Sequence, residues 1–326
     1  MTELHNNDRV ELLADVAEMY FLQGKTQNEI SAFAGVSRSM VSRLLDEAQR
    51  KWIVEIKINH PISFDQELQD RLIKRFNLSQ AYVVQTKDSN YDHVMQYLGR
   101  AGAHALKQNL KPGQTLGVAW GTSVNAAAEA LDVNRPISVK VVQLVGALGS
   151  QNEKYDGHAL VQNLSEKLGG EPYFLNAPFQ LDSEETVKSL MMNASVMETF
   201  DKIKQCDIAL LGVGATEPKY SSYYQAGYCT LEEVEMLYKM DAIGGVCGIH
   251  FDRHGKLKAE DFQKRVVSVD EITLLSIPIR IGIAAGEGKV KPLSGALNGG
   301  YINVLVTDSK TAQDVLRLDL AGSKTS

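Results

Sequence analysis

The sequence predicts two parts: a winged helix-turn-helix over residues 1–58 and a doubly wound α/β domain over residues 59–326. Three observations carry this expectation. Two short helical patterns meet at Gly35, an alternating segment follows them directly, and seven apolar strand-like runs separated by helical stretches fill the remainder. At 326 residues the chain has material for two domains and a sizeable core.

In chain order, Leu13, Val16, Ala17 and Tyr20 form a first amphipathic stripe. Thr26 and Glu29 then have the spacing of a capping box, with Ile30 and Ala34 on the inner face of the helix they open. Gly35 supplies the left-handed residue that ends this helix, Val36 fills the angle, and Ser37 is a good N-cap for the next. Val41, Leu44, Leu45 and Ala48 recur at i, i+3, i+4 and i+7. Arg38, Ser39, Ser42 and Arg43 fall on the opposite face, as donors suited to phosphates and guanine edges, so double-stranded DNA is the expected partner. The alternative is a helical hairpin with a merely solvated face; the first stripe argues against it by completing a three-helix unit. Residues 1–59 hold seven Lys/Arg against nine Asp/Glu. The basic charge is therefore local, at Arg38, Arg43, Arg50 and Lys51, and a homo-oligomer is expected to double it.

After Trp52, Ile53–Ile58 (IVEIKI) alternates and reads as a wing strand. His60-Pro61 breaks the pattern, which puts the domain boundary near residues 58 to 63, and Phe64 to Phe76 reads as a helix. The runs AYVV, LGVAW, KVVQLVGAL, DIALLGVG, GVCGIHF, IRIGIAAG and INVLVTD are the expected strands of a mostly parallel sheet. AGSKTS reads as a frayed tail.

Ligands in such sheets bind beyond the strands' carboxyl ends, which singles out three loops. Gly121-Thr122-Ser123 follows a strand and opens a helix, offering hydroxyls and free N–H groups to an anion. Gly212 and Gly214, with Ser221 and Ser222 shortly after, form the second loop. The third, Ala284-Ala285-Gly286-Glu287-Gly288-Lys289, puts a cation at a helix N-terminus, where it opposes the dipole unless an anion meets it. Together they point to a phosphate group.

Composition narrows the classes. The net charge of −6 and 44% hydrophobic content are ordinary for a cytoplasmic globular protein. No apolar run approaches the ~20 residues needed to span a bilayer, and MTELHNNDRVE lacks the apolar core of a signal peptide. Cys206, Cys229 and Cys247 lack CxxC spacing and the seven histidines lack metal-ligand spacing, so reduced thiols, no metal and no cofactor are expected.

VSRSMVSRLLDEAQRKWIVEI, GVAWGTS, VVQLVGALG, GVCGIHFDRHG and GKVKPLSGALNGGYINVLVTD, in that order across residues 9 to 317, resemble the SorC/DeoR-like family of bacterial sugar-metabolism transcription regulators. The resemblance implies a winged helix-turn-helix joined to an effector domain related in fold to sugar-phosphate isomerases. It implies oligomers, commonly tetramers, and control by a phosphorylated sugar, with a repressor expected. By position, Gly121, Thr122, Ser123 and Lys289 would hold the phosphate, Gln143, Gly212, Gly214 and Ser221 or Ser222 would line the sugar side, and Arg38, Ser39, Ser42 and Arg43 would face DNA. The chain departs from the family at Gly245, where members often carry Asp; at Val145, where some carry Lys; and at Trp52, where glycine is usual. The runner-up is a sugar-phosphate isomerase or deaminase-like enzyme using Asp241, His250 or Asp252 for proton transfer. Gly245, which brings no carboxylate, argues against it. A DNA-binding module without a ligand would leave the anion-suited loops unexplained.

Overall fold

A computed structural model describes residues 2–54, 61–86, 90–147, 156–225, 227 and 229–322. The chain divides into two compact units, Met1–Pro61 and Ile62–Ser326.

The first unit contains helices α1 (Thr2–Phe21), α2 (Gln27–Ala34) and α3 (Arg38–Arg50). Thr26 and Glu29 form the reciprocal capping box, Gly35 turns the chain at φ 65°, and the Ser37 hydroxyl accepts from the Met40 N–H. Leu13, Val16, Ala17, Ile30, Val41, Leu44, Leu45 and Ala48 are buried in one cluster, with Val36 packed against it. Arg9 ties α1 to α3 through Glu47 at 2.6 Å. Tyr20 departs from the expected stripe: it is 37% exposed, edge-on to Phe21 rather than in the core. Trp52 adopts φ 59°, a left-handed conformation that disfavours any side chain, and its ring is 83% exposed. Ile53 and Val54 lie in no strand, and the rest of the expected wing, residues 55–58, falls outside the described residues.

The second unit is built on β1 (Gln80–Val84), β2 (Thr115–Val118), β3 (Lys140–Gln143), β4 (Glu171–Tyr173), β5 (Ile208–Gly212), β6 (Gly214–Ala215), β7 (Gly244–Val246), β8 (Ile249–Phe251), β9 (Leu257–Lys258), β10 (Ile279–Ile283) and β11 (Val304–Asp308). Seven of these make one sheet in the order β1-β11-β10-β5-β2-β3-β4, parallel throughout. Successive residues point to opposite faces. Thus Ile208 and Leu210 enter one core with Leu98, Leu106 and Ile283, while Ala209 and Leu211 enter another with Leu72, Leu144 and Leu305. A strand buried on both faces reads as a continuous apolar run, which is why ALL in β5 and VLV in β11 show no alternation.

Three strand expectations are corrected. GVCGIHF is not a strand of the parallel sheet but a hairpin, β7 and β8, in a separate antiparallel sheet β6-β7-β8-β9. The turn is made by Cys247 and Gly248, both at positive φ. DIALLGVG is interrupted at Val213, where the chain leaves β5 for β6. β4 is not among the expected strands; it is a three-residue edge strand containing Pro172, where proline is tolerated and apolar periodicity is absent. The expected helix from Phe64 starts instead at Gln66, capped by Asp65, because Phe64 bridges to Val84. At the other end, Ala321 and Gly322 of the expected tail belong to the helix Ser309–Gly322, and 323–326 lie outside the described residues.

The chain runs outward from β2 through β3 to β4 in one direction, and from β5 through β10 to β11 in the other. The strand order therefore reverses between β2 and β5. A crevice opens beyond the carboxyl ends of strands at such a point.

Candidate functional site

That crevice is a cavity of about 400 Å³, lined by the segments following β2, β5 and β10. After β2, Gly121 takes φ 135° and ψ 163°, which only glycine adopts readily, and leads into the helix Thr122–Ala130 with no side-chain cap. The first-turn N–H groups of this helix have no intrahelical partner and carry the positive end of its dipole. Thr122 is exposed at the mouth. Ser123 contributes its backbone N–H, but its hydroxyl already donates to the Ile283 carbonyl at 2.9 Å, tying this helix to β10.

After β10, Gly286 at φ 103° starts the turn Glu287–Lys289, which runs into the helix Val290–Asn298. Gly286 N–H donates to Thr311 Oγ1 at 2.8 Å, and that hydroxyl donates to Asp308 at 2.6 Å. The loop is thus braced from beneath by two buried side chains. Lys289 lines the cavity half-buried, and withdrawal from water pushes its ammonium down to about 8. No ion pair or hydrogen bond of this side chain occurs among the described residues. An unpaired desolvated cation lining the same cavity as an uncapped helix N-terminus is an arrangement suited to an anion.

Gly212, Gly214 and Ser222 also line the cavity. Ser221 does not: it is buried, and its hydroxyl accepts from the Tyr224 N–H. Nor does Gln143, which is fully buried, donating to the Val145 carbonyl at 2.7 Å and accepting from the Leu175 N–H at 3.2 Å. Its amide braces the end of β3. Trp120, Tyr220, Tyr223 and Gln225 line the cavity as well, and no sequence motif singles them out. Trp120 stands edge-on to Tyr223 with centroids 5.3 Å apart, and Tyr223 stacks on Phe179. No local pattern marks these residues; the one available signal was their adjacency to the loop glycines.

The enzyme candidates lie elsewhere. Asp241 occupies an exposed left-handed turn position. Asp252 accepts the His254 and Lys256 N–H groups at 2.9 and 3.0 Å, shaping the turn that follows β8. Burial pulls His250 down to about 4, with a weaker opposing pull from the Gly248 backbone, so it is neutral. All three cysteines are buried free thiols, Cys206 and Cys229 both pushed up by burial to about 12. Among the described residues no cluster of His, Cys, Asp and Glu could hold a metal, and no helix is long and apolar enough to cross a membrane.

On α3 of the first unit, Arg38, Ser39 and Arg43 are exposed and Ser42 half-buried, opposite the packed stripe. Lys51 is less available, paired with Glu47 at 3.1 Å.

An α/β unit with an anion-suited crevice, carried on the same chain as a helix-turn-helix, defines a ligand-responsive DNA-binding protein. Residues 60–317 match a family described as "Putative sugar-binding domain". The chain is 28% identical to the sorbitol operon regulator of Klebsiella pneumoniae over 316 residues, 96% of this chain and 100% of that one. It is also 28% identical to the deoxyribonucleoside regulator of Bacillus subtilis (strain 168) over 308 residues, 94% and 98% of the two chains. The crystal structure of the full-length sorbitol operon regulator SorC matches with a TM-score of 0.72 at 27% identity, covering 95% of this chain and 99% of that one. The chain belongs to the SorC/DeoR-type sugar-binding family of transcriptional regulators. Both of these relatives are named as regulators and not as enzymes.

Proposed function

We propose that this protein is a homo-oligomeric repressor of a carbohydrate or nucleoside catabolism operon, whose operator affinity is set by a phosphorylated sugar. The division of labour follows the sequence: residues 1–58 bind DNA through Arg38, Ser39, Ser42 and Arg43, and residues 59–326 bind the effector and oligomerise. The phosphate sits at Gly121, Thr122 and Ser123, facing Lys289, and the sugar lies along Gly212, Gly214 and Ser222. One observation carries this reading: Lys289, desolvated and unpaired, lines the same cavity as the uncapped helix N-terminus at Gly121. To alter DNA binding, the ligand must favour one arrangement of the protein over another.

The test is calorimetry across pentose, hexose and triose phosphates with their free sugars. Each hydrogen bond to a charged group is worth about 1.5 to 3 kcal/mol, so the phosphorylated form of the effector should bind at least about tenfold tighter than the free sugar. Equal affinities would remove the phosphate site from this cavity.

A further inference from the structure

The lining of the cavity sorts by depth. Val213 and Cys247 are buried at its floor, while Thr122, Gln225 and Glu287 are exposed at its rim. Tyr220 lies between the two, half-buried, on the short turn Pro218–Tyr220 that follows β6. Its ring crosses to the opposite wall and rests on the turn after β10. A Cβ added to Gly288 would lie 2.5 Å from Tyr220 Cδ1, 2.8 Å from its Cβ and closer still to its Cγ. No side chain fits between them. The backbone does not ask for glycine at 288, since the left-handed residue of this turn is Gly286. What keeps position 288 bare is the ring seated on it.

The turn that carries the ring is held on either side. The Thr216 hydroxyl donates to the Ala242 carbonyl, and Tyr223 stacks on Phe179 with centroids 5.3 Å apart. Gln225 Nε2 donates to the Lys219 carbonyl at 2.8 Å, bracing the turn within its own segment. The seam to the opposite wall is different. Among the described residues, no hydrogen bond or ion pair joins Pro218–Gln225 to Glu287–Lys289. The Tyr220 hydroxyl instead accepts from the exposed ammonium of its neighbour Lys219 at 3.1 Å. A contact of ring against glycine is non-directional, so the ring can leave and return by rotating about its own side-chain bonds. Gly288 directly precedes Lys289 in the cavity wall, so the seated ring covers the turn that carries that ammonium.

We propose that Tyr220 is the gate of this cavity: seated on Gly288 it separates the floor from the rim, and it lifts off that glycine to let a ligand pass. Closures of this kind exclude water and slow ligand exchange. The gate serves whichever ligand the cavity takes and does not depend on the phosphate reading.

The chain has two tryptophans, which supplies a test without any ligand. Trp52 is exposed in the first unit and Trp120 lines the cavity, so in a full-length Trp52→Phe parent the tryptophan emission reports on the cavity. Quenching of that emission by acrylamide should be weak in the parent. Tyr220→Ala, which deletes the gate, and Gly288→Ala, which unseats it, should each raise the quenching constant severalfold. The two changes together should equal Tyr220→Ala alone, because the added methyl then has no ring to displace. Tyr220→Phe keeps the ring and should keep the protection. If Gly288→Ala fails to fold, as its melting curve would show, Tyr220→Ala against Tyr220→Phe decides. Strong quenching in the parent, unchanged quenching in Tyr220→Ala, loss of protection in Tyr220→Phe, or additive effects in the double variant would overturn the gate. None of these outcomes touches the phosphate reading, which stands or falls on the calorimetry above.

Discussion

Lys289 titrates where its site must work. Its ammonium is pushed from an ordinary 10.5 down to about 8 by burial, so the unfolded chain holds this proton more tightly than the folded one. Between about 8 and 10.5 the unfolded state therefore binds more protons, and the empty protein gains stability as pH rises through that window. Below about 8 the penalty is present in full. Lys289→Met should accordingly raise the melting temperature of the ligand-free protein at pH 7, an advantage that shrinks towards pH 10.5, and it should abolish the preference for phosphorylated sugars. A phosphate ester becomes a dianion above about pH 6, so affinity should be greatest between about 6 and 8. Near pH 8 binding should draw a proton onto Lys289, seen as a calorimetric enthalpy that varies with the buffer's ionisation enthalpy. A variant melting curve identical to wild type, with no buffer dependence, would show the amine to be solvated. Legibility at this scale followed locality. Thr26, Gly35 and Ser37 act on backbone groups within a few residues, and the sequence alone located them. Gln143 could not be separated from true lining residues, because its partner Leu175 lies 32 residues away and is set by how the chain packs.

The loop after β10 is an element-level device, held by the helix Ser309–Gly322 as well as by its own turn bond from Lys289 N–H to the Gly286 carbonyl. Thr311 occupies both ends of a relay, accepting from Gly286 and donating to Asp308. Thr311→Val keeps the shape and removes both bonds. Sugar-phosphate affinity should fall about three- to tenfold, the worth of one ordinary hydrogen bond lost from a positioning group, with Thr311→Ser restoring most of it. Unchanged affinity in the valine variant would show that the turn holds itself. On α3, Arg43→Ala should weaken operator binding by about 1 to 3 kcal/mol and relax preference at one base per half-site, read by fluorescence anisotropy on single-base operator variants. A uniform loss across all sequences would assign Arg43 to phosphates instead. Elements with their own periodicity or cap were legible, as α2 and α3 show. The β7-β8 hairpin was not, since a run of six apolar or small residues and one histidine describes one buried strand as well as two short ones around Cys247-Gly248.

At the scale of the whole molecule, the parallel sheet was readable because alternation of strands and helices admits few topologies. The position of the switch point was not, because nothing local records that β5 lies beside β2. The two units have separate cores, Leu13 with Leu44 in one and Leu210 with Ile283 in the other. Residues 62–326 should therefore fold alone, with a cooperative melt and an associated state by analytical ultracentrifugation. They should bind sugar phosphate as the full chain does. An unfolded or strictly monomeric fragment would place folding or assembly determinants in the first unit.

One pairing has a consequence for synthesis. β1 is an edge strand, and its neighbour in the parallel sheet is β11, with Gln80 beside Val304 and Val84 beside Asp308. The first strand of the unit to leave the ribosome must wait for the last. Closing a loop of that length is entropically slow, and until it closes β1 presents an unpaired edge. The cavity also draws on the turn after β10, so a nascent or prematurely terminated chain lacks half of the lining proposed to hold the anion. Ligand responsiveness thus arrives only with a finished polypeptide, and a chain truncated before Val304 should be a target for chaperones and proteases rather than a constitutively active regulator.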